Sequence, residues 1–136
     1  VTTLREARKA IHDKWTTDWP LVAPDVPFYF DNEAVTPCQT PWTRLVVREL
    51  VSTQDTLGLP TDRKFRRRAM VLVQVFVQRD VGVGSMVDLA HSARGVFEGK
   101  SFSGLDFHAV DAREVPTEDR WYQMTVEAQF NYYETK

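Results

Sequence analysis

Residues 120–134 read RWYQMTVEAQFNYYE. Tyr122, Met124, Val126, Ala128, Phe130 and Tyr132 fall on one parity, and Gln123, Thr125, Glu127, Gln129 and Asn131 on the other. A period of two puts the first set on one face of a β-strand and the second on the opposite face. The segment therefore predicts a long strand that buries one side and shows water, or a partner, the other. Its outer side carries a single charge, Glu127, and neutral amides that can pair across a neighbouring strand or subunit.

Upstream, Phe65 opens the longest strand candidate, residues 65–78. Val71, Val73, Val75 and Val77 share one face, and Met70, Leu72 and Phe76 share the other. Apolar residues on both faces predict a central strand covered on both sides over at least part of its length. Residues 43–51 predict a second strand, in which Leu45, Val47 and Val51 alternate with Arg44 and Arg48. The polar stretch 52–62, with Gly58 and Pro60, reads as a long hairpin loop of the kind that is functional or mobile. Phe28-Tyr29-Phe30 and residues 105–112 predict further strands, and residues 116–119 a turn.

Two helices complete the pattern. Leu4, Ala7, Ile11 and Trp15 repeat at helical spacing over residues 3–14, and Thr3 with Glu6 forms a capping-box pair. Asp18, Trp19 and Pro20 are expected to stop this helix, with Pro20, Pro24 and Pro27 in an extended connector. Ser85 with Asp88 opens a second helix whose stripe is Met86, Leu89, Ala90, Ala93 and Phe97; Gly99 supplies its left-handed end. The order α-β-β-β-α-β-β predicts one α+β domain over residues 1–136: a mixed, mostly antiparallel sheet with two helices packed on one face.

The totals narrow the classes. A chain of 136 residues buries enough surface for a proper core. The net charge of −2 gives no global attraction to nucleic acid or anionic membrane. No apolar run has the length to span a bilayer, and no charged-then-apolar leader is read. Cys38 is the single cysteine, so no internal disulfide can form.

The second half resembles the tail terminator proteins of long-tailed bacteriophages. The likeness is carried by the valine- and phenylalanine-rich strand over residues 71–77, the turn at Gly82 and Gly84, and a small-residue helix ending in Phe97 and Gly99. A strand then opens at Trp121-Tyr122 and closes in Phe130, Tyr132 and Tyr133. Of these, Gly82, Gly84, Phe97, Trp121 and Tyr122 match as scaffold positions. The resemblance implies a virion structural protein that forms a ring, usually of six copies, on the head-proximal end of the tail tube. It implies that the ring stops tube polymerisation and meets the head connector while DNA passes through the bore without sequence-specific binding. No cofactor, no bond chemistry and no membrane are implied; the expected location is the virion, and the host cytoplasm during assembly. Another neck or head-tail joining protein of the same virion is the nearest alternative. A small host α+β ligand-binding domain or enzyme is the alternative from a different class.

Arg63, Lys64, Arg66, Arg67 and Arg68 form the densest charge cluster. Like charges this close repel unless something answers them, so the cluster is expected to meet a partner, either phosphate or carboxylate. In a strand, Lys64, Arg66 and Arg68 share a face while Phe65 and Arg67 point the other way. With the cluster, the outward residues Gln123, Thr125, Glu127, Gln129 and Asn131 are the candidate ring interface. The remaining chemistry-bearing residues give weaker patterns. Gly82-Val83-Gly84-Ser85 lacks the third glycine of a dinucleotide loop, since residue 87 is Val87, and it lacks a Walker lysine. Asp106, His108, Asp111 and Glu114 are the best metal candidates but lack recognisable ligand spacing. His12 and His91 read as surface residues, and Cys38 as an apolar filler without a base beside it.

Overall fold

A computed structural model describes residues 3–31, 41–78, 84–115 and 121–135. Its first element is helix α1, Leu4–Val22. Thr3 caps it: its hydroxyl accepts from the Glu6 amide at 3.2 Å. Ala7, Ile11, Trp15 and Trp19 form a fully buried stripe at intervals of one turn. The helix runs past the expected stop and contains Pro20. Trp15 and Trp19 stack at 4.6 Å between ring centroids, which requires helical geometry through residue 19. A buried aromatic removes about 150–250 Å² from water, roughly 4–6 kcal/mol, whereas an interior proline costs about 3 kcal/mol. Packing wins, and the Ala23 amide closes the helix on the Trp19 carbonyl at 2.9 Å. The Trp19 indole then donates to the Val26 carbonyl at 3.2 Å, which folds the proline connector back along the helix.

The strands are β1 (Phe28–Phe30), β2 (Trp42–Gln54), β3 (Lys64–Gln78), β4 (Ser101–Phe102), β5 (Leu105–Val115) and β6 (Trp121–Thr135). They form a six-stranded sheet in the order β1-β2-β3-β6-β5-β4. The β1–β2 pair is parallel and the other neighbours are antiparallel. β3 and β6 pair without a register break from Lys64–Thr135 to Gln78–Trp121. β4 is a short strand absent from the sequence reading. Its link to β5 is the pair Ser103 and Gly104, with φ of 51° and 80°; two left-handed residues are what a tight hairpin turn requires.

Helix α2, Gly84–Phe97, begins one residue before Ser85. Ser85 therefore sits inside the first turn and does not cap it. Gly99 follows the helix with φ of 68°, as its spacing predicts. The buried side chains of α2 are Met86, Ala90, Ala93, Val96 and Phe97, and Phe97 stacks on Trp15 at 5.9 Å. Both helices lie over one sheet face, made of Leu45 and Val47, Val71 to Val77 at odd positions, Val126 to Tyr132 at even positions, and Leu105, Phe107 and Val110; all of these side chains are buried.

The opposite face departs from expectation. Met70, Leu72 and Phe76 are half-buried, not buried, and no described element crosses them. β3 is central in the sheet, yet among the described residues it is covered on one side only. The strand β2 also extends to Gln54, past the residue where a loop was expected, through a register shift between Glu49 and Val51. β2, β3 and the end of β6 thus continue together as an arm of the sheet, whose loop spans residues 55–63.

Trp15→Ala should destabilise the domain by about 3–5 kcal/mol, read as a lower urea midpoint. Leu21→Ala, at a side chain 79% exposed, should change stability by less than about 0.5 kcal/mol.

Candidate assembly surface

The register fixes what the open face presents. One row across the sheet runs Val46, Leu72, Glu127, Asp111. A second runs Trp42, Phe76, Gln123, Val115, and a third Arg44, Gln74, Thr125, Arg113. Val46, Leu72, Trp42 and Phe76 therefore cluster on the β2 and β3 side, with Arg44 and Gln74 between them, and mostly polar side chains occupy the β6 and β5 side. Thr125 is buried at 7% exposure although no described element crosses it. Glu127 accepts from Arg113 at 2.9 Å, so the single charge of the last strand's outer side is answered within the sheet. Gln129 is exposed. Asn131 lies 3.1 Å from the His108 ring nitrogen Nε2.

Aromatic residues close one end of this face. Trp42 stacks on Phe76 at 4.1 Å and meets Trp121 edge-on at 6.1 Å. Tyr29 also meets Trp42 edge-on at 5.8 Å, and the Arg44 guanidinium lies 5.4 Å from the Trp42 ring centre. Edge and stacked pairs of this kind hold one another rigid. Trp42, Arg44, Arg48 and Phe76 were not among the expected interface residues. Their signal was the strand parity that places them beside Leu72, but parity gives the face only once the helices are known to lie on the other.

The basic cluster divides between faces as strand parity requires. Arg66 and Arg68 are exposed on the open face, and Lys64 lies 4.5 Å from the Tyr133 ring centre. Arg67 points the other way. It is ion-paired with Glu134 at 2.8 Å, with both side chains more than four-fifths buried, and it lies over the Phe65 ring at 5.1 Å. Arg67 is thus held within the fold at the root of the arm. Arg63 donates to the Gly58 carbonyl at 3.4 Å within the loop. At the loop tip Leu57 and Leu59 stand 97% and 76% exposed.

Beside Arg67, Tyr132 is 1% exposed. Burial first, and then the Glu49 carboxylate, push its phenol up to about 12; Arg67 opposes this and Glu134 adds to it.

The other expected positions are placed as follows. Gly84 is the first residue of α2 and Phe97 its last; Gly82 and Cys38 lie outside the described residues. Trp121 and Tyr122 open β6 on opposite faces, and the Tyr122 hydroxyl reaches Glu114 at 3.5 Å. His12 is half-buried and stacks on Phe30 at 4.0 Å, so it is part of the packing and not a surface residue as expected. The metal candidates diverge. Asp106 accepts from the Ser101 hydroxyl at 2.8 Å, His108 meets Asn131, and a register shift between Phe107 and Val110 separates them from Asp111. Among the described residues no group of three potential ligands converges on a metal position.

A groove of about 510 Å³ lies between the end of α1 and α2, lined by Leu21, Val22, His91, Ser92 and Val96 among others. Its carboxylate, Asp18, is ion-paired with Lys14 at 2.6 Å. Among the described residues no helix is long and apolar enough to cross a membrane.

No protein-family model matches the chain, and no curated protein matches it. A solved structure designated only by a sequence identifier shares its fold, with a TM-score of 0.67 and 17% identity over 96% of each chain. Identity at that level shows the fold alone.

A raised pKa stabilises the fold in its protonated form. The Tyr132 contribution should be fully present below about pH 10, the ordinary phenol value, and be lost as pH rises from there to about 12. Unfolding midpoints measured across this window should fall more steeply for the wild type than for Tyr132→Phe, which carries no phenol to ionise.

Proposed function

We propose that this chain is a virion structural protein of the tail terminator type, a subunit of a closed ring that caps a phage tail tube and joins it to the head connector. The observation that carries this reading is the sheet face left open by both helices, with half-buried Val46, Met70, Leu72, Phe76 and Trp121. Side chains of this kind on a face without a described covering element are material for assembly. The arm, with its loop at residues 55–63, adds a second surface unlike the first. A chain with two different contact surfaces associates head to tail, and such contacts close into rings when the rotation per subunit divides the circle. The family likeness supplies the place in the virion and the expected copy number of six.

Functionally, such a subunit works by shape. Covering its open face removes apolar surface from water, and this stabilises the ring at roughly 25 cal/mol per Å² before the cost of association. The ring then presents one rim to the tube and the other to the connector, with DNA in the bore. None of these tasks needs an acid–base pair, and the groove residues His91 and Ser92 need play no part.

The reading is tested by native mass spectrometry and negative-stain microscopy of the purified chain. Wild type should give rings of one size. Leu72→Lys, in the middle of the open face, should give folded monomers with unchanged circular dichroism. A wild type that stays monomeric at high concentration, even with tail tubes present, would contradict the reading. So would a Leu72→Lys variant that assembles as the wild type does.

A further inference from the structure

The charge on this molecule is unevenly spread. Residues 42–68 hold seven arginines and lysines against three carboxylates, although the whole chain has a net charge of −2. Of these cations Arg67 is neutralised by Glu134. Arg48, Arg66 and Arg68 are exposed, and among the described residues none of them has a carboxylate within ion-pair distance. They lie together on the open side of the arm: Arg68 pairs with Val51 and Arg66 with Thr53 across the hairpin, next to Arg48 on β2.

The far side of the sheet is complementary. β5 carries Asp106, Asp111 and Glu114 against Arg113. Arg113 is occupied by Glu127 at 2.9 Å, and Asp106 by the Ser101 hydroxyl. Glu114 faces the helix side beside Met124 and meets the Tyr122 hydroxyl, so Asp111 is the carboxylate left exposed on the open side of the rim. It does not reach the arm of its own chain. Arg68 lines up with Asn131 and Asp106, while Asp111 lines up with Glu127 and Leu72. From strand spacings, Asp111 therefore lies roughly 10 Å across and 13 Å along from Arg68. That exceeds the screening length of about 8 Å at physiological salt.

We propose that the cationic arm of one copy, through Arg48, Arg66 and Arg68, docks against the β5 rim of the next copy, through Asp111. This rests on the ring reading above and names the contact that orders the subunits. The two surfaces differ, so the contact is heterologous and repeats in one direction around the ring. The cations lie on β2 and β3 and the carboxylate on the outer part of the sheet at β5, so each subunit offers one of each sign. They set the register and reject a reversed neighbour, which would place arm against arm. The apolar open face adds affinity to this orientation. Nucleic acid is the weaker fit to the same cations, because a chain of net negative charge does not draw a polyanion from a distance.

A charge-swap experiment tests the pairing on the full chain. One variant carries Arg66→Glu and Arg68→Glu, and the other Asp111→Arg; all three sites are exposed, so both variants should fold. Each alone should associate about a hundredfold more weakly than wild type, since like charges then face each other. A one-to-one mixture should recover rings in native mass spectra, with the two variants in equal number, because each arm then finds a rim of opposite sign. Rings that form in the wild type and in both single variants alike would overturn this contact while leaving the ring standing. Failure of the mixture to recover would overturn it too. If the arginine variant assembles normally but loses a mobility shift with duplex DNA that the wild type shows, the arm serves nucleic acid and the proposal is wrong. A wild type that forms no oligomer defeats the ring reading itself.

Discussion

The uninterrupted pairing of β3 with β6, from Lys64–Thr135 to Gln78–Trp121, is the constraint on which everything else depends. A side-chain period of two leaves no freedom once this register is set: a slip by one residue would turn Val71, Val73 and Val126 out to water and bring Gln74 and Glu127 under the helices. The buried face selects the register, and the register then decides which residues the open face must show. Core and proposed interface are in this sense two sides of one pattern.

The helices complete the core on one side and stop there. Trp15, Trp19 and Phe97 make an aromatic layer between the helices, and Phe107 and Phe130 extend it to the sheet. Fitting a second layer to the other face would need another amphipathic element, and the described residues contain none. The molecule instead braces that face from within, through Trp42, Phe76 and Trp121 at one end and the Arg113–Glu127 pair in the middle. Bracing of this kind keeps a sheet face flat and ordered before a neighbour arrives, which lowers the entropy cost of docking.

Strand alternation made much of this legible in the sequence. It identified β6 and the buried parity of β3, and the capping pair Thr3 and Glu6 marked the start of α1. Local signals were weaker where tertiary packing overrode them. Pro20 reads as a stop, but the buried Trp15–Trp19 stack carries the helix past it. The stretch 52–54 reads as loop because its residues are polar, yet backbone pairing to β3 needs no apolar side chain. The most consequential difference concerned Met70, Leu72 and Phe76, where apolar character predicted a cover that the described residues do not supply. Sequence shows that a face is apolar; it does not show whether the cover belongs to the same chain. The basic cluster was visible, but the split that pairs Arg67 inward and leaves Arg66 and Arg68 outward requires the strand, and the place of the carboxylate at β5 requires the sheet order.

Fold and charge distribution together support the proposal of a subunit whose sheet is finished by its neighbours. Sedimentation velocity over a wide range of protein concentration measures this most directly. The expected result is a shift from monomer to one discrete larger species with no ladder of open intermediates at saturation, as a closing head-to-tail contact requires. A single monomeric sedimentation coefficient throughout the range would contradict it.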